Sequence, residues 1–263
     1  MPPAIPIVIP SPAGVYRISR TTQDPFDPPA WNHSGNERFD DPLLAIPETP
    51  HDDGSFRVIY CATERVTAYR ECIAHFRPSL NLLRDLHRLT RDDERITQSL
   101  HGALDEHQSV AHGIVTRDWY EGRHIGHAFF DRTHVCADFT DPDCWTHLST
   151  IPELIERAHR SGITDIDLSA MTSARRSFTR ACARFVHEQV DGHGSARFAG
   201  IRYWSRLGSA RYGECWALFD DRIAKDKAGN SRPITSGDPD LVEAVRSLGL
   251  TIEDEEGTYV RPQ

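Results

Sequence analysis

The chain has 263 residues, with 30 Lys and Arg against 39 Asp and Glu and a formal net charge of −9 at pH 7. That length supports one substantial core, with or without appendages, and a 38% hydrophobic content excludes a disordered chain. An acidic balance with no long Lys/Arg run gives no general attraction to phosphate polymers, so direct nucleic-acid binding is not expected.

No apolar run reaches bilayer length, and the opening MPPAIPIVIPSPAG lacks both the basic start and the continuous apolar region of an export signal. The expectation is a cytoplasmic protein without membrane contact. Cys61, Cys72, Cys136, Cys144, Cys182 and Cys215 are scattered with no C-x-x-C pair, which predicts reduced thiols that mostly fill the core.

Residues 1–13 read as a flexible leader, and residues 21–36 are rich in Pro, Asp, Asn and Gly. The first strand, around residues 15–18 of GVYRIS, therefore stands between irregular segments and carries Arg17 within an apolar run. An unpaired buried charge is very costly, so a fixed carboxylate or a bound anion must meet that guanidinium.

FRVIYCA (56–62) reads as a buried strand after the turn-forming HDDGS. TERVTAYRECIAHF (63–76) reads as a helix with Thr63 at its N-cap, Glu64 near its positive end and Pro78 as its stop. Val66, Tyr69, Ile73 and Phe76 make its bulky face, while Thr67, Ala68, Glu71 and Ala74 fall on the other side. Periodicity alone places Glu71 in water, and its small neighbours leave room for a ligand.

NLLRDLHRLTRDDERI, within the polar stretch 79–109, predicts one amphipathic helix. HGIVTRDW and HIGHAFFD are strand-like, a helix is expected at Pro152–Arg160, and a longer one over residues 173–189. FAGIRYWSRLGSARYGECWALFDD predicts two strands around a glycine-containing loop, and DPDLVEAVRSLGL a short helix after its Asp/Pro start. No internal repeat is evident.

His124, His127, His134 and Cys136 offer zinc-ligand chemistry, but on a strand and turn rather than one helix face. Cys61 and Cys72 flank a strand-to-helix junction where a nucleophile could sit, although buried cysteines are common. No G-x-S-x-G elbow, G-x-G-x-x-G or P-loop occurs. What remains is Arg17, Arg38 in NERFDDP, Tyr60, Glu71 and Ser205 in GIRYWSRLG. Each also has a structural reading: an ion pair for Arg17, a solvated helix position for Glu71, a turn for Ser205.

Taken in order, these pieces resemble the RES-domain family, named for an arginine, a glutamate and a serine. VYRIS matches the arginine motif, ERFDDP the Arg-Phe segment, VIYCATERVTAYRE the strand and helix ending in glutamate, and GIRYWSRLG with WALF the serine region. Ser205 rather than Ser209 fits the family's Y-x-S pattern. ERFDDP departs from the usual GRFN, and residues 79–119 read as an expanded insert.

The resemblance implies an α+β catalytic domain over residues 14–222, with mixed and antiparallel sheets and flanking helices around an NAD cleft, as in ADP-ribosyltransferase toxins. A C-terminal extension with a short helix would occupy residues 223–263. The implied activity is NAD consumption by cleavage of the nicotinamide–ribose bond, as a phosphorylase or glycohydrolase, in the toxin of a toxin–antitoxin pair. Arg17, Glu71 and Ser205 would be catalytic, with Tyr60, Arg38 and Tyr16 binding substrate. No metal or cofactor is implied: NAD is the substrate, and inorganic phosphate the co-substrate of the phosphorolytic route. The implied partner is an Xre-like helix-turn-helix antitoxin. Transfer of ADP-ribose to a protein side chain and a catalytically silent nucleotide- or protein-binding module are the alternatives.

Overall fold

The computed structural model describes residues 4–20, 24–45, 54–81, 83–84, 113–130, 133–208, 213–223 and 230–262. Strands among them are Ile7–Val8 (β1), Val15–Arg20 (β2), Val58–Ala62 (β3), Ile114–Val115 (β4), Arg123–Ala128 (β5), Cys136–Asp138 (β6), Gly200–Trp204 (β7), Glu214–Phe219 (β8), Ser231–Pro233 (β9), Thr251–Glu253 (β10) and Tyr259–Val260 (β11). The helices are Arg65–Ile73 (α1), Arg117–Glu121 (α2), Pro142–Leu148 (α3), Pro152–Arg160 (α4), Leu168–Thr172 (α5), Arg176–His187 (α6) and Pro239–Leu248 (α7). The fold is α+β, as expected.

An eight-stranded sheet runs in the order β1-β6-β7-β8-β3-β2-β5-β9, with β6 and β7 parallel and the other neighbours antiparallel. Its central strands are short and rich in β-branched, aromatic and cysteine residues, as strands buried on both faces should be. On one face, Phe56, Phe139, Phe178, Phe198 and Met171 form a core beneath α3 to α6. A second core joins Val66, Tyr69 and Ile73 of α1 to Trp119, Leu241, Val245 and Ile252. Tyr16 and Ile18 pack against both, so β2 lies at the seam between the two blocks. Val15, Ile59, Cys136, Trp216 and Leu218 form a third cluster.

Local chemistry sets the helix starts. Asp141, Asp167 and Asp238 each cap a helix by accepting a backbone N–H, and Pro occupies the first turn of α3, α4 and α7. Helix α1 differs from expectation: its N-cap is Glu64, without a side-chain cap bond. Thr63 is drawn off by β8, its hydroxyl donating to Glu214 and accepting from the Trp216 indole at 2.9 Å. The helix expected over 173–189 begins only at Arg176, because Ser173 Oγ accepts the Arg175 N–H in a local turn. HGIVTRDW yields only the two residues of β4 before α2, whose Trp119 and Tyr120 are buried.

The chain ends are more integrated than the sequence suggests. In the expected leader, β1 pairs with β6 and Ile5 is buried. In the expected extension, β9 pairs with β5, and β10 joins β11 and β4 in a three-stranded sheet. Helix α7 packs on α1: the Asp238 carboxylate accepts from Tyr69 at 2.8 Å and pairs with Arg65, and Arg70 Nε donates to Ser247 at 2.8 Å. The predicted helix at NLLRDLHRLTRDDERI falls largely outside the described residues. No helix among the described residues is long and apolar enough to cross a membrane.

Candidate active site

Strands β2 and β3 share one register pair, Tyr16 with Ala62, and then diverge. Each remains fully paired on its other side, β2 with β5 and β3 with β8. The gap is a pocket of about 290 Å³, walled by Tyr16, Arg17 and Ile18 from one strand and Tyr60, Cys61 and Ala62 from the other. Helix α1 adds Ala68, Glu71 and Cys72, and the loop before β3 adds Glu37 and Arg38. A larger groove of about 1110 Å³ shares Glu37, Arg38, Glu71, Arg176 and Arg206 with it and extends past His75 and Arg77 to Gly249.

Of the six residues singled out in the sequence, Tyr16, Arg17, Arg38, Tyr60 and Glu71 line the pocket. The sixth, Ser205, reaches it through Glu71: its hydroxyl donates to Glu71 Oε1, a contact between residues 134 positions apart. Ser205 Oγ also accepts the Leu207 N–H at 2.9 Å, which fixes the hydroxyl and therefore the carboxylate. Glu71 itself is exposed, so it both meets water and faces the pocket.

Arg17 is half-buried and donates to the Asp27 carbonyl at 2.7 Å. It forms no ion pair with a carboxylate among the described residues. Burial lowers its pKa from the ordinary arginine value, opposed at longer range by Cys61, Cys72, Asp27 and Asp24. Among the described residues its guanidinium therefore meets a backbone carbonyl rather than a fixed carboxylate. Arg38 lies 5.4 Å from the Tyr203 ring, within cation–π range, with its buried Nη1 unpartnered.

Tyr60 contributes its ring rather than a free donor. Its hydroxyl donates to Asp40 Oδ1 at 2.9 Å and accepts the Phe39 N–H at 2.9 Å. Burial, with the adjacent Asp40 charge, holds the phenol well above its usual pKa. Tyr16 stacks on His127, with ring centroids 4.3 Å apart. Asp40 is the participant that sequence reasoning missed. Its only signal was the carboxylate pair in ERFDDP, replacing the usual asparagine position by an acid.

The thiols are not nucleophiles at neutral pH. Burial pushes Cys61 up to about 12 and Cys72 up to about 11. At pH 8, Cys72 should react with iodoacetamide about 100-fold more slowly than a free thiol, and unfolding in denaturant should abolish the difference. Mass spectrometry of time-quenched samples reads both rates. Among the described residues no group of three His, Cys, Asp or Glu side chains could hold a metal ion, and His134 packs edge-on to Phe130.

No curated protein and no solved structure gives a significant match to the chain. The RES domain model, by contrast, matches residues 14–236, which takes in both diverging strands, helix α1 and the Ser205 loop. The chain belongs to the RES-domain family.

Proposed function

We propose that the protein consumes NAD by cleaving the nicotinamide–ribose bond, with water or inorganic phosphate as acceptor. The observation that carries this reading is the Ser205–Glu71 hydrogen bond beside a pocket that Glu71 and Arg17 both line. RES-domain membership is consistent with an enzyme that acts on NAD.

Nicotinamide leaves as a neutral molecule from a cationic pyridinium, so the departing ring needs no proton. Positive charge develops instead on the ribose, toward an oxocarbenium ion, and a carboxylate held beside it stabilises that charge. Glu71 serves this role, with one oxygen oriented by Ser205 and the other left for the ribose. Arg17 and Arg38 supply guanidinium donors for the pyrophosphate. The Tyr60 and Tyr16 rings wall the site, and tight binding beside these groups holds the reactive conformer. Water or phosphate then bonds to the ribose carbon and releases any surplus proton to solvent.

The test is a product assay on partner-free protein with and without phosphate. Nicotinamide with ADP-ribose identifies hydrolysis, and nicotinamide with ADP-ribose-1″-phosphate identifies phosphorolysis. Intact NAD in both buffers would overturn the reading. Arg17→Ala should raise KM about 100-fold by removing a guanidinium that lines the pocket. In the cell this activity suits the toxin of a pair with a helix-turn-helix antitoxin, so induced expression should arrest growth as NAD falls.

A further inference from the structure

Asp40 is 4% exposed, yet it forms no ion pair among the described residues. Neutral donors alone surround its carboxylate: Oδ2 accepts the Gly35 N–H at 2.9 Å and the Glu37 N–H at 2.7 Å, and Oδ1 accepts the Tyr60 hydroxyl at 2.9 Å. Tyr60 in turn accepts the Phe39 N–H. The backbone N–H groups of the residues before and after Arg38 are thus tied to one buried carboxylate, directly at Glu37 and through the phenol at Phe39. The Arg38 carbonyl accepts from Thr179 at 2.6 Å, which pins the same residue to α6. Gly35 permits the turn: its φ is +94°, and a Cβ there would meet the Leu44 carbonyl oxygen at 2.6 Å.

A buried acid and a buried arginine Nη1 without a hydrogen-bond partner therefore sit two residues apart without pairing. Direct pairing would satisfy both and consume the guanidinium. The backbone network instead spends the carboxylate on peptide donors and leaves Arg38 facing the pocket.

We propose that Asp40 is a positioning residue that holds Arg38 unpaired and aimed at the anionic part of the substrate. This inference rests on the NAD reading for its substrate, although its chemistry requires only a phosphate-bearing ligand. Asp40 touches no reacting atom, so its loss should weaken binding more than bond cleavage.

The test is a double-mutant cycle on the full chain, with folding checked by circular dichroism. Asp40→Ala and Arg38→Ala should each raise KM for NAD about tenfold, with kcat held within about twofold, and the double variant should be no worse than Arg38→Ala. Asp40→Asn should fall between wild type and Asp40→Ala, because its carbonyl oxygen still accepts the two peptide N–H groups while the Tyr60 proton loses its acceptor. An unchanged KM in Asp40→Ala, or effects that multiply in the double variant, would overturn the proposal. If Asp40→Ala does not fold, Asp40→Asn carries the test, and a KM equal to wild type sinks it.

Calorimetric titration with inorganic pyrophosphate separates this proposal from the NAD reading. Wild type that leaves NAD intact but binds pyrophosphate, with about tenfold weaker, non-additive binding in both variants, removes the reading and keeps Asp40's role. Wild type that fails to bind pyrophosphate, or binds it no better than Asp40→Ala, removes that role.

Discussion

Glu71→Gln is expected to lower kcat for NAD cleavage by about 1000-fold while leaving the thermal midpoint nearly unchanged. Glutamine keeps the shape and a carbonyl oxygen that can accept the Ser205 hydroxyl, so the substitution removes charge and little else. A preorganised charge aimed at a developing cation is commonly the largest catalytic term, and losing one such contact costs roughly 100- to 1000-fold. Glu71 is exposed, and exposed substitutions away from special features typically change stability by less than about 0.5 kcal/mol. Single-turnover kinetics with NAD, paired with calorimetric melting, reads both quantities. Retention of more than a tenth of wild-type kcat would remove Glu71 from the chemistry.

The largest stability effect is expected at Asp238. Its buried carboxylate accepts the Tyr69 hydroxyl, pairs with Arg65, lies 3.5 Å from Arg232 and caps α7 through the Asp240 N–H at 3.1 Å. Asp238→Ala leaves the Tyr69 phenol without its acceptor and Arg65 with only Asp240, at 2.6 Å. Removing one partner of a buried pair costs about 3–5 kcal/mol, and the retained Asp240 contact argues for about 3. For a chain of this size that corresponds to a fall of roughly 10 °C in Tm. Asp240 is far more exposed, so Asp240→Ala should cost about 1 kcal/mol or less. Equal melting of the two variants would show that Asp238 does not brace α1. The same bridge ties a segment beyond the matched RES domain to the helix that carries Glu71.

Arg17, Tyr60, Glu71 and Ser205 were brought together in the sequence by the ordered resemblance to the RES domain, while periodicity alone left Glu71 in water; the elements around them were legible from local patterns. An arginine inside GVYRIS required an explanation wherever the strand ran, and Pro152–Arg160 announced its helix by a proline start and a clear apolar stripe. The glycine-containing loop after Ser205 likewise separated two evident strands. Other features depend on long-range partners that spacing does not encode. Thr63 looked like a cap until Glu214 and Trp216 claimed its hydroxyl. The Tyr60 phenol looked available until Asp40, 20 residues earlier, accepted its hydrogen bond. IPIVIP resembled a loose leader, because two strand residues between prolines carry almost no periodic signal and only β6 gives them a partner.

The parting of β2 from β3 also bears on how far the cleft tolerates substitution. A continuous sheet would use up the amide and carbonyl groups along both facing edges, whereas here they stop pairing after Tyr16 and Ala62. The cleft is therefore bordered by main-chain donors and acceptors that substitutions other than to proline leave in place. Side chains around such an opening can differ, and ERFDDP does depart from GRFN, while the polar main-chain edge comes with the strand geometry itself.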